Sequence, residues 1–85
     1  MIVKLNTKYS EKELAFLKAR NCEILSEIKL PKSCEVPTRM FVCGGTYIGE
    51  IRDGDGIVWA ILSKFKGNYQ WSECYSDLET LGDGL

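Results

Sequence analysis

The sequence predicts an α+β domain, with one N-terminal helix packed on an antiparallel β-sheet of about five to six strands. Three observations carry that prediction. A capping box, Ser10-Glu11-Lys12-Glu13, opens a helical segment near the start of the chain. All 8 glycines lie at or beyond Gly44. Between the glycines run short alternating or continuous apolar stretches, the pattern of strands joined by tight turns.

Ile2 to Leu5 reads as a short strand with Val3 and Leu5 on one face. The Ser10 oxygen can accept from the Glu13 amide while Glu13 reaches back, so a helix is expected from about Glu11 to Arg20. Leu14, Ala15, Leu17 and Ala19 supply its apolar stripe, and Asn21 is a suitable stop. Glu23 to Leu30 alternates, with Ile24, Ile28 and Leu30 on one side, and predicts a single strand ended by Pro31. Arg39–Cys43 and Thr46–Arg52 are strands joined by Gly44-Gly45, a two-residue hairpin signal. Asp53-Gly54-Asp55-Gly56 is a second turn, Ile57–Leu62 the most strongly apolar strand, and Gly67-Asn68 a third turn leading into Tyr69–Tyr75. The order is therefore β-α-β followed by a meander of about four strands. Residues 76–85 read as an acidic, glycine-punctuated tail.

The chain has 85 residues, which allows a single domain, 1–85, with a small core. A hydrophobic content of 45% and a charged content of 27% are ordinary for a globular protein and exclude a disordered one. There is no histidine, so Ser-His and Cys-His nucleophile pairs, imidazole acid/base chemistry and Cys₂His₂ metal sites are out. The formal net charge of −1 advertises no bulk positive field. No apolar run approaches the roughly 18 residues of a membrane span, and Met1–Asn6 makes no signal-peptide core, so a cytoplasmic location is expected. Cys22, Cys34, Cys43 and Cys74 form no closely spaced pairs; four reduced thiols are expected, and no metal or other cofactor.

Few segments carry chemistry. Asp53-Gly54-Asp55-Gly56 opens like a calcium loop, but the position that should supply a bidentate Glu is Lys64, and a hairpin turn accounts for the segment. Gly44-Gly45-Thr46-Tyr47-Ile48-Gly49 lacks the Gly-Lys-Ser/Thr ending of a phosphate loop. The carboxylate pairs Glu11/Glu13, Glu23/Glu27 and Asp53/Asp55 have no complementary acid, base or nucleophile beside them, so no enzyme is expected.

The segment Lys64-Phe65-Lys66-Gly67-Asn68-Tyr69-Gln70-Trp71 is different. Two lysines interleave with three aromatic residues across a turn, the combination that holds single-stranded RNA through phosphates and stacked bases. The competing reading makes Phe65, Tyr69 and Trp71 cross-strand packing residues and the lysines solvated. Residues 1–70 carry 11 basic and 8 acidic side chains, whereas residues 71–85 carry Glu73, Asp77, Glu79 and Asp83 and no base. A mildly basic body suits a phosphate backbone; an acidic end suits a basic protein surface, or solubility alone.

The opening Met1-Ile2-Val3-Lys4-Leu5-Asn6-Thr7-Lys8-Tyr9-Ser10-Glu11-Lys12-Glu13-Leu14, with the glycine-rich meander behind it, resembles the small early proteins of T-even-type bacteriophages. Within that group the chain is similar in size and character to a phage inhibitor of the toxin endoribonuclease of a type III toxin–antitoxin system. The resemblance implies a counter-defence protein that binds RNA and engages the host toxin as a higher-order assembly. It supplies no residue-by-residue motif, so the candidate sites rest on the side chains themselves. For RNA these are Arg39, Arg52, Lys64 and Lys66 on phosphates, with Tyr69 and Trp71 on bases. For a protein partner they are Glu73, Asp77, Glu79 and Asp83. The alternatives are a protein–protein antagonist without RNA, acting through a sheet edge or the acidic tail, and a subunit completed by homo-oligomerisation.

Overall fold

A computed structural model describes residues 1–84 and has an α+β architecture in three layers. The elements are β1 (Ile2–Lys4), α1 (Glu11–Ala19), β2 (Glu23–Leu25), β3 (Glu27–Lys29), β4 (Met40–Cys43), β5 (Thr46–Asp53), β6 (Gly56–Phe65), β7 (Asn68–Tyr75) and α2 (Leu78–Gly84). The central layer is a five-stranded antiparallel sheet in the order β2-β4-β5-β6-β7. A two-stranded ribbon of β1 and β3 is separate from it.

The middle strands are apolar almost continuously because both faces of the sheet are covered. Met40 and Phe41 are adjacent on β4, point to opposite faces, and are both fully buried. Phe41 joins Leu17, Ile48, Trp59, Leu78 and Leu81 beneath the two helices. Met40 joins Val3, Leu5, Leu30 and Cys34 beneath the ribbon and the loop that follows it.

The capping box at Ser10 forms in full, with the Glu13 amide donating to Ser10 Oγ at 3.1 Å and the Ser10 amide to Glu13 Oε1 at 2.8 Å. Asn21 stops α1 in the left-handed region at φ 54°. Its amide donates to the Lys18 carbonyl and that of Cys22 to Leu17, a Schellman closure. The buried face of α1 differs from the expected stripe. Leu17 is buried and Phe16 and Glu13 are half-buried, whereas Leu14, Ala15 and Ala19 are exposed. The helix presents Glu13 inward because an arginine waits there.

Four further expectations are corrected. Glu23–Leu30 is two strands in different layers: Ser26 breaks it, and its carbonyl accepts from the Leu5 amide at 2.9 Å. Ile24 therefore packs on the helix side while Ile28 packs under the ribbon. The acidic tail 76–84 is folded rather than free. Asp77 Oδ1 accepts from the Thr80 amide at 2.8 Å, opening α2, and Leu78 and Leu81 are buried. Leu85 lies outside the described residues. The four thiols are not all reduced: Cys22 and Cys43 form a disulfide, leaving Cys34 buried and Cys74 exposed. The β2–β4 register continues to place Cys22 opposite Cys43, with Cα atoms 4.4 Å apart. The third turn is Lys66-Gly67, both at positive φ (50° and 82°), rather than Gly67-Asn68. Among the described residues, no helix is long and apolar enough to cross a membrane.

Candidate nucleic-acid interface

The β6–β7 hairpin places its side chains by register. Lys64 faces Tyr69 across the two strands, Leu62 faces Trp71, and Phe65 faces Asn68. Alternation then puts Lys64, Tyr69, Leu62 and Trp71 on the ribbon side of the sheet and Phe65 on the helix side. The Lys64 ammonium sits 5.7 Å from the Tyr69 ring centroid, and the Lys66 ammonium 5.5 Å from that of Phe65. Both are cation–π distances. Phe65 is 60% exposed and Tyr69 42%. Each lysine is thus held over a ring that remains open to solvent.

Lys66 occupies a left-handed position, at φ 50°, where a turn of this type prefers Asn or Gly. A side chain there costs about 1 kcal/mol or more in backbone strain. The hairpin tip therefore carries a cation at some cost to local stability.

Trp71 is placed differently. It is half-buried, its indole N–H donates to the Glu35 carbonyl at 2.9 Å, and its ring lies across Gly49. A Cβ at Gly49 would sit 2.5 Å from Trp71 Cη2, so only glycine permits that contact. Tyr47, half exposed on β5, shares the ribbon-side face with Leu62 and Trp71 and extends the aromatic strip. Sequence reasoning missed Tyr47; its signal is the parity of β5, two positions before Gly49.

The other two cations are not at the hairpin. Arg52 pairs with Ile57 at the opposite end of β6, seven residues from Lys64 and hence about 23 Å away along the strand. Arg39 lies beneath α1 and is fully engaged. Its Nε and Nη2 donate to Glu50 at 3.0 and 2.7 Å, and Nη1 and Nη2 donate to Glu13, both at 2.9 Å. Nη1 also donates to the Lys8 carbonyl at 3.1 Å. A guanidinium has five N–H donors, and all five are used. The group also stacks near Tyr9 and Trp59, at 4.7 and 5.2 Å from their centroids. Nothing remains to meet a phosphate, so Arg39 is a structural cation.

This cluster shifts its members in consistent directions. The hydrogen bonds from Arg39 hold the Glu13 carboxyl below its ordinary value, against a smaller effect of burial. The hydrogen bond to Glu50 raises Arg39 further above its already high value. Burial pushes the Tyr9 phenol up to about 12, with Arg39 opposing.

The acidic candidates do not form one surface. Glu73 sits in a bulge of β7 at φ 47°. Asp77 caps α2, and the bond from the Thr80 amide lowers its carboxyl pKa. Glu79 meets Lys12 at 3.6 Å with both side chains largely in solvent. Asp83 is exposed on α2. Among the described residues, no cluster of three or more His, Cys, Asp or Glu is placed to hold a metal ion.

No protein-family model, curated protein or solved structure matches the chain.

Proposed function

We propose that this chain is a binding protein, not an enzyme, that grips single-stranded RNA with the tip of the β6–β7 hairpin. Lys64 and Lys66 neutralise phosphates while Tyr69, with Tyr47 and the edge of Trp71 beside it, stacks on bases. One observation supports this reading above the others: the Lys64 ammonium lies over the solvent-open Tyr69 ring, so charge and stacking surface are presented together, with Lys66 adding a second cation at the turn. Arg39 and Arg52 are left out of the contact set, the first because its donors are taken and the second by distance. The resemblance to small early phage proteins extends the proposal. In the cytoplasm of the infected host, the RNA grip would serve to inhibit the toxin endoribonuclease of a type III toxin–antitoxin system.

The test is fluorescence anisotropy with a labelled single-stranded RNA across a salt series, on the wild type and on Lys64→Glu/Lys66→Glu. For single strands, each phosphate contact contributes about 0.7 log units of affinity per tenfold change in salt. The double variant is therefore expected to lose most binding, and its salt slope to shrink by about 1.4. Unchanged binding in the variant refutes the RNA grip. If the variant still inhibits toxin cleavage in a purified assay, contact with the toxin protein alone replaces the RNA reading.

A further inference from the structure

The edge of β7 is open, and its protections stop short of one stretch. Natural edges are blunted by charge, proline, bulges or covering elements. In β7 the bulge and the left-handed Glu73 lie beyond Ser72. Residues 68–72, Asn-Tyr-Gln-Trp-Ser, contain no charge and no proline. The turn fixes which backbone groups face outward. A two-residue hairpin is closed by a hydrogen-bonded pair, here Phe65 and Asn68, and bonded pairs alternate thereafter. Asn68, Gln70 and Ser72 thus bond to β6, while the N–H and C=O of Tyr69 and Trp71 point out of the sheet. Among the described residues, no other backbone group bonds to them.

We infer that this edge pairs with the same edge of a second copy, antiparallel about a two-fold axis at Gln70. That register sets Tyr69 opposite Trp71 of the second copy and Trp71 opposite its Tyr69, giving four backbone hydrogen bonds and two cross-strand aromatic pairs. It also brings Lys66 of each copy alongside Glu73 of the other, because positions 67 and 73 face each other in this register. Charge complementarity at both ends therefore selects a second copy over a foreign strand, and the Glu73 bulge limits the register to the uncharged stretch. Paired residues share a face, so Lys64, Tyr69 and Trp71 of both copies lie on one side of a ten-stranded sheet. Apart from Lys66, which the RNA grip also uses, the interface stands independently of what that face binds.

Gln70 supplies the test, since it sits on the helix side of β7, is exposed, and faces its own counterpart at the axis. Sedimentation of the full chain from micromolar to millimolar loading is expected to show a shift from 9.6 kDa to twice that mass. Gln70→Lys and Gln70→Glu each oppose two like charges and are expected to remain monomeric, while an equimolar mixture of the two variants restores the dimer. A wild type that stays monomeric throughout, or a Gln70→Lys protein that dimerises as the wild type does, overturns the inference. A mixture that fails to associate although the wild type does also overturns it.

Discussion

Replacing Arg39 by Met removes the cation while keeping an apolar stem of similar reach, and isolates what the charge contributes. The side chain of Arg39 is only 15% exposed, and those of Glu13 and Glu50 are 24% and 13% exposed. Removing one partner of a buried ion pair costs about 3–5 kcal/mol, because the remaining charge stays desolvated. Here two carboxylates are stranded, but neither is fully buried, so the lower end, about 3 kcal/mol, is the expected loss. In a domain of this size that corresponds to a Tm lower by roughly 12–24 °C, read by circular dichroism on heating. Adding Glu13→Gln and Glu50→Gln to Arg39→Met is expected to recover much of the loss, since no unpaired charge then remains. The pH profile follows from the same groups. Glu13 has its folded pKa depressed below 4.5, so its contribution is complete above pH 4.5 and lost as pH falls through the folded value. Arg39→Met is expected to flatten that acid limb. Tyr9 is raised from 10.0 to about 12, so its contribution is complete below pH 10.0 and lost as pH climbs toward 12. An Arg39→Met protein within about 1 kcal/mol of the wild type would show that the network behaves as an exposed surface pair, and would refute the reasoning.

The remaining predictions concern the covalent and helical closures of the sheet. The Cys22–Cys43 bond closes a separation of 21 residues, for which chain entropy gives about 3 kcal/mol of stabilisation. Paired Cys22→Ser/Cys43→Ser is expected to lose that amount in urea denaturation. Thiol titration of the native protein should find Cys74 reacting quickly and Cys34 only on unfolding. For α2, Leu81→Ala is expected to cost about 2–5 kcal/mol, because Leu81 is fully buried among Leu17, Phe41 and Trp59. Glu79→Gln, at an exposed ion pair, should leave the urea midpoint unchanged. A silent Leu81→Ala would separate the C-terminal segment from the core.

What the sequence makes legible here is what short-range geometry decides. The capping box, the Asn21 stop and the Gly44-Gly45 hairpin are written in neighbouring residues and form as read. The Lys64–Tyr69 pairing is not legible in the same way: a Gly67-Asn68 turn would set Lys66 opposite Tyr69, and the left-handed Lys66 moves the turn back by one residue. Arg39 is not legible either, because its carboxylates lie 26 and 11 residues away and only the folded layers bring them together. The break at Ser26 hides inside an alternation that fits one strand, and Leu5 from the other layer has to arrive before it shows. α2 hides behind Gly82 and Gly84, although Asp77 with Leu78 and Leu81 spells a cap and a buried face. Arg52 follows from strand reversal: each antiparallel turn sends a residue near in sequence to the far end of the sheet. The hairpin's presentation still depends on one distant contact. A one-residue slip in β7 would turn Tyr69 and Trp71 to the helix side and lift the indole from Gly49. The turn proposes the register and the Gly49–Trp71 contact holds it, so the arrangement of cation and ring is fixed from both ends of the strand.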